Sequence, residues 1–140
     1  MKRICVIDGQ GGGIGSAIIK RLREAFDERV ELLALGTNAI ATAQMLKAGA
    51  NRGASGENAI VRTCGSADAV IGPLGIVMAH AMMGEVTPRM AEAISGSPGR
   101  KYLIPLTQEN VRVVGLEPSP LPHLVDDLIR EHLAVFLESE

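Results

Sequence analysis

The stretch Ile4-Cys5-Val6-Ile7-Asp8-Gly9-Gln10-Gly11-Gly12-Gly13-Ile14-Gly15 limits the folds open to this chain more than any other. An apolar run ends at Asp8, five glycines fall among the seven residues Gly9–Gly15, and an amphipathic segment starts at once. That order reads as a buried strand, a tight turn, and a helix whose N-terminus lies close to the strand end. Residues without a Cβ adopt positive φ at little cost and leave peptide N–H groups uncovered. The helix N-terminus behind them offers unpaired donors and a partial positive charge, so phosphate is the natural guest.

The remaining segments extend this unit. Residues 3–8 are β-rich and apolar without alternation, as in a strand covered on both faces. From Ile14 the positions Ala17, Ile18, Leu22, Ala25 and Phe26 form a helical stripe opposite Lys20, Arg21, Arg23, Glu24 and Asp27. A second strand, Val30 to Leu35, ends at Gly36-Thr37-Asn38, where Thr37 or Asn38 caps a helix from Ala39 to Ala48. Strand, helix, strand, helix implies a right-handed parallel unit. Residues 49–56 read as a glycine-rich loop, with Ser55 capping a short helix from Glu57 to Thr63.

A third strand, Ala67 to Ile71, ends at Gly72-Pro73-Leu74-Gly75, and Ile76 to Met83 reads as an apolar helix. Thr87-Pro88 starts another helix, which stops at Ser95-Gly96-Ser97-Pro98-Gly99. Tyr102 to Leu106 and Val111 to Gly115 read as two strands joined by four residues, Thr107 to Asn110. A parallel crossover needs a dozen residues or more, so this pair is expected to be antiparallel. A final helix carries Leu121, Leu124, Val125, Leu128, Ile129, Val135 and Phe136 on one side. No repeat or domain boundary interrupts residues 1–140. The pattern is a three-layer α/β sandwich in one domain, its sheet mostly parallel with about five strands and an antiparallel pair near the C-terminus.

Composition excludes some functions. A net charge of -2 without a basic cluster, and an aromatic content of 2%, argue against nucleic acid as a partner. No apolar run approaches the roughly 20 residues that span a bilayer, so no membrane partner is expected. No signal peptide is visible, and Cys5 and Cys64 adjoin apolar residues without metal or redox spacing. They are read as buried free thiols in a reducing cytoplasm.

Two resemblances follow from the motifs. Asp8 and Gly9, then three residues, then Gly13-Ile14-Gly15 resemble the glycine turn of short-chain dehydrogenases, with Asp in place of the usual Thr. The resemblance covers the first strand–helix unit and implies a Rossmann-like fold with a nucleotide pyrophosphate at Gly9–Gly15. That family's Tyr-x-x-x-Lys is missing: the one tyrosine, Tyr102, has no lysine four residues on. Its hydride chemistry is therefore not implied. Over most of the chain, Asp8–Gly15, Ala34-Leu-Gly-Thr-Asn38, Met45–Asn51, Gly56–Ile60, Ile71–Val77 and Gly84–Ile94 resemble a family of short bacterial proteins of unknown function. That likeness implies a stand-alone domain and brings no activity.

Ligands of a parallel α/β sheet bind beyond the carboxyl ends of its strands. The candidate binding set there is Gly9, Gln10, Gly11, Gly12, Gly13, Ile14 and Gly15, with Thr37, Asn38, Gly72 and Pro73. Asp8, Ser55, Glu57 and Asn58 are candidates for a second ligand. Asp8 can bind Mg²⁺ or act as a base, or else accept bonds from the turn's own N–H groups. Glu57 suits the first turn of its helix. NAD binders place an acid at the end of the second strand. Here Asn38 stands there, so NAD, NADP or another nucleotide are all open. No metal is expected, since His123 and His132 lack a carboxylate pattern, and His80 reads as a packed or interface residue. Met78, Met82, Met83 and Met90 suggest core or a homodimer contact.

Three function classes remain. The first is a cytoplasmic nucleotide- or dinucleotide-binding protein with a small-molecule ligand. The second is a regulatory or accessory subunit acting through an oligomer or partner surface, with the glycines serving backbone packing alone. The third is an isomerase or lyase whose loop holds a lone phosphate on a metabolite. Whether the chain is an enzyme is left open by the sequence.

Overall fold

The computed structural model describes residues 1–139. Five strands form one sheet in the order β3-β2-β1-β4-β5, every neighbouring pair parallel. The strands are β1 (Lys2–Asp8), β2 (Val30–Gly36), β3 (Arg52–Ser55), β4 (Ala69–Pro73) and β5 (Arg100–Ile104). Helices α1 (Gly13–Phe26), α2 (Ala39–Ala48), α3 (Glu57–Thr63) and α4 (Pro88–Ser95) connect them. A C-terminal helical run follows, α5 (Leu121–Asp127) and α6 (Ala134–Glu138) joined by a π-helical stretch, Leu128–Leu133.

β1 lies at the centre, with Lys2 to Asp8 paired to Val30 to Gly36 on one side and Ile4 to Val6 paired to Ala69 to Ile71 on the other. Successive side chains of a strand point to opposite faces. Ile4 and Val6 therefore join Ile18, Ile19, Leu22 and Phe26 of α1 and the C-terminal helix in one core. Cys5 and Ile7 join Ile60 of α3 and Met90 and Ile94 of α4 in the other. Burial on both faces is why the strand's sequence shows no alternation. Both cysteines are free and sealed in the second core, and burial pushes the Cys5 thiol up to about 12. Among the described residues no helix is long and apolar enough to cross a membrane.

The three-layer parallel sandwich and most helices match expectation; three segments differ. The glycine-rich loop 49–56 contains β3, a short edge strand whose four residues are all exposed and paired with Leu33 to Gly36. With that pairing made, Ser55 does not cap α3. Its hydroxyl donates to Thr42 Oγ1 at 2.7 Å, and Gly56 holds the cap position.

Ile76–Met83 is not an α-helix. A 3₁₀ turn over Leu74–Val77 leads into a folded loop, with left-handed φ of 70° at His80, 59° at Met82 and 57° at Met83. His80 is exposed there instead of packed.

Val111–Gly115 is not a strand either. Residues 105–120 carry no helix or strand, and Val111, Val113, Val114 and Leu116 are exposed. A β-rich run without a neighbouring edge has no partner for its peptide groups. The antiparallel pair is thereby corrected: β5 is the edge strand and lies parallel to β4, because α4 supplies the crossover between them. Tyr102, in β5, stacks edge-on against Phe136 at 5.9 Å between ring centroids, a packing role.

Where β4 leaves the sheet beside β1, Gly72 admits no side chain. A Cβ there would stand 2.3 Å from the Ile7 carbonyl oxygen. Gly72→Ala must force the two central strands apart and is expected to lower the unfolding free energy by about 1–3 kcal/mol. Gly65→Ala, where a Cβ meets nothing within 4 Å, should leave it unchanged. Urea denaturation of both variants checks the contrast.

Candidate functional site

From β1 the chain steps to β2 and β3 on one side, then crosses to β4 and β5 on the other. β1 and β4 thus flank the point where the strand order reverses, and beyond their carboxyl ends lies the crevice that such sheets use for ligands. The glycine turn, the end of β2 and the segment after β4 converge there.

Asp8 ends β1 on the face that carries α1. It is 4% exposed, and its two oxygens accept the N–H of Gly9 at 2.8 Å and of Gly15 at 2.7 Å. Its own carbonyl accepts the Thr37 N–H at 3.0 Å. Burial pushes the Asp8 carboxyl above the ordinary range, the N–H groups of Gly15, Gly9 and Ile14 pull it back in part, and Glu85 adds a further push upward. A folded-state value above the unfolded one makes protonation favour the fold. That contribution is complete below the ordinary carboxylate range and is lost as pH rises through the raised value.

The glycines divide into crowded and open positions. A Cβ on Gly9 would meet Thr37 Oγ1 at 2.4 Å, Met82 Sδ at 2.7 Å and Glu85 Oε1 at 2.9 Å. On Gly15 it would meet Met45 Sδ at 2.5 Å, so that glycine serves the close approach of α1 to α2. Gly12 is left-handed, φ 73°, and lies against the Ala41 backbone; its N–H closes the turn onto the Gly9 carbonyl at 2.9 Å. Gly11 and Gly13 face open space. Gln10 is left-handed as well, φ 51°. Residues of alternating hand turn successive N–H groups to one side, the arrangement of anion-binding nests.

Asn38 caps α2, its Oδ1 accepting the Ala41 N–H at 2.8 Å, while its Nδ2 donates to the Gln10 carbonyl at 3.0 Å. It shares a second acceptor with two other donors. Glu85 Oε1 accepts from Asn38 Nδ2 at 2.8 Å, from Thr37 Oγ1 at 2.6 Å and from the Gln10 N–H at 2.8 Å. Partial burial works to raise the Glu85 carboxyl, but the Thr37, Gln10 and Asn38 donors outweigh it and hold it below the usual range.

A cavity of about 260 Å³ opens beside this cluster, lined by Asp8, Gln10, Ile14, Pro73, Gly75, Met82 and the segment Leu106–Glu109. A larger hollow of about 850 Å³ lies at the opposite edge of the sheet, around Gly65–Asp68 and Pro98–Lys101. Strand direction favours the smaller one, since the hollow sits where β4 and β5 begin.

Gly9–Gly15, Thr37, Asn38 and Pro73 come together as a cluster, with Gly72 packed one step behind on Ile7. Ser55, Glu57 and Asn58 line no part of the cavity. Ser55 bonds Thr42, while Glu57 accepts from the Thr87 hydroxyl at 2.6 Å and pairs with Arg89 at 3.3 Å, tying α3 to α4. Asn58 is exposed. Sequence reasoning missed Glu85, Met82, Thr107 and Glu109. Of these only Glu85 left a trace, as a lone carboxylate beside Gly84 after a long uncharged run.

Residues 3–137 match the family described as a domain of unknown function (DUF3842). The chain belongs to that family. No protein of curated function matches it. Among solved structures the DUF3842 chain is similar to a dodecameric FMN-dependent UbiX-like decarboxylase from Escherichia coli O157:H7. The two share 18% identity at a TM-score of 0.53, over 97% of this chain and 94% of the other. The likeness extends through the whole Rossmann-like domain and concerns the fold.

Asp8→Asn tests the buried carboxylate as an anchor. An amide has one acceptor for two N–H donors, so Gly9 or Gly15 loses its partner. Unfolding free energy is expected to fall by about 1–3 kcal/mol. Denaturation at several pH values checks this, and the part of the pH dependence due to Asp8 should vanish.

Proposed function

We propose that this protein binds a nucleotide-type ligand, with phosphate at the Gly9–Gly15 turn and the remainder along the crevice between β1 and β4. The observation that carries this reading is the turn itself: Gly11 and Gly13 are open at the start of a 14-residue helix, beside the cavity at the strand-order reversal. Helix N-termini and nests favour anions. The FMN dependence of the similarly folded decarboxylase adds support for a flavin mononucleotide, with NAD and NADP as the other members of the class. Gln10, Ile14, Thr37, Asn38 and Pro73 are the contacts we assign beyond the glycines. The cavity, about 260 Å³, is smaller than common cofactor pockets. It suits one end of such a ligand, the rest lying in the open crevice.

Calorimetric titration with FMN, NAD, NADP and inorganic phosphate tests the reading. A selective response names the class. Gly13→Val, whose Cβ enters open space beside the turn's donors, is expected to weaken binding at least about tenfold, ~1.4 kcal/mol, with unchanged circular dichroism. Undiminished binding would take the turn out of the site.

A second reading, a protein acting through self-association, rests on a different observation. Val113, Val114 and Leu116 are exposed along residues 105–120, and Met83 is 95% exposed. Contiguous exposed apolar side chains mark interaction surfaces. The similarly folded decarboxylase is a dodecamer. Light scattering on the purified protein should give a mass above that of one copy, a homodimer or larger; a strict monomer would remove this reading.

A further inference from the structure

Between β4 and α4 the segment Met78–Val86 folds into a compact loop that lies on the glycine turn. Its base is buried, Ala81 and Val86 being each 1% exposed, and its tip, Met83, is in solvent. The loop has its own bonds: His80 N–H to the Val86 carbonyl at 2.7 Å, Val86 N–H to Ala81 at 3.1 Å, and Gly84 N–H to His80 at 3.0 Å. Three of its non-glycine residues, His80, Met82 and Met83, are left-handed, as is Gly84, φ 91°. Left-handed backbone at such residues persists only where surrounding contacts hold it. The contacts at the far end are those of Glu85, whose one oxygen gathers the Gln10 N–H, the Thr37 hydroxyl and the Asn38 amide.

These donors come from the glycine turn and the end of β2, the two places assigned above to a ligand. An oxygen that receives a peptide N–H, a hydroxyl and an amide together is placed as an oxygen of a bound phosphate would be. Met82 covers the same spot, since its sulfur and Glu85 Oε1 both stand within 3 Å of where a Gly9 side chain would begin.

We infer that Glu85 is an internal, displaceable anion: its carboxylate occupies the phosphate seat of the glycine turn, and the 78–86 segment is a gate that an entering anionic ligand must open. The inference rests on the nucleotide reading for the identity of that ligand. It explains why so glycine-rich a turn has part of its donors already taken. It also gives the loop's left-handed residues a purpose: Met82 N–H holds to Glu109 Oε2 at 3.4 Å and Ala81 and Val86 stay buried, so Glu85 is the tie to the glycine turn whose loss frees the loop's outer part.

The test compares wild type, Glu85→Ala and Glu85→Gln, all checked by circular dichroism, with inorganic phosphate and FMN as probes. Glu85→Ala empties the seat and should bind both at least about tenfold more tightly, ~1.4 kcal/mol, with Glu85→Gln between. Amide hydrogen exchange over residues 78–86 should quicken in ligand-free Glu85→Ala and in FMN-saturated wild type, with β1 unchanged. If wild type binds FMN, and Glu85→Ala binds it equally or less well, the gate is wrong and the nucleotide reading stands. Unchanged exchange across 78–86 on saturation also overturns the gate. If no variant binds either probe, the gate falls and the flavin mononucleotide reading falls with it.

Discussion

One buried carboxylate holds this architecture at its centre. Asp8 sits where the middle strand ends, and through two oxygens and a carbonyl it engages the turn at Gly9, the helix at Gly15 and the next strand's end at Thr37. Burying a charge is unfavourable unless its oxygens find donors. Here one donor is the Gly15 N–H of a helix start, which otherwise would lack a partner, and the other is the Gly9 N–H of the turn. The N–H groups offset part of the cost of burial, and the bond set fixes the angle at which α1 leaves β1. Everything assembled at that sheet edge takes its position from this bond set.

The legible parts of the sequence were those whose signal is local. β1, α1, β2 and α2 could be read because each carries its own periodicity, cap or breaker, and Asn38 and Thr87 cap as their positions suggest. β3 could not be read: Arg52-Gly-Ala-Ser55 has neither β-rich side chains nor alternation, and exists because β2 offers it an edge. Val111–Gly115 errs in the opposite direction, with strand propensity and no edge to meet. Treating it as a strand created a short connection, and that connection produced the mistaken antiparallel pair. Ile76–Met83 looks helical by composition, but its conformation is decided by bonds across the sheet edge. The site divides likewise. Its glycines are contiguous in sequence, whereas Glu85 approaches Gln10 from 75 positions along the chain.

As the phosphate site proposed above, the crevice is electrostatically unusual. Asp8 and Glu109 line the cavity and Glu85 adjoins it, while among the described residues no lysine or arginine contributes to its wall. On that proposal, attraction for a ligand comes from peptide N–H groups, the α1 dipole and amide side chains, which are short-ranged and directional. Such a site selects by shape and donor placement more than by charge. Ligands held in this way depend little on salt compared with those drawn by surface cations.

The two thiols offer a practical consequence. Cys5 is entirely enclosed and Cys64 nearly so, both in the core between the sheet and α3–α4, and burial keeps both thiols protonated. A thiol reagent in solution therefore meets no reactive sulfur on the native surface. Its rate of reaction is set by how often that layer comes away from the sheet. The chain thus carries a built-in clock for its own opening, readable without a tag or an added probe.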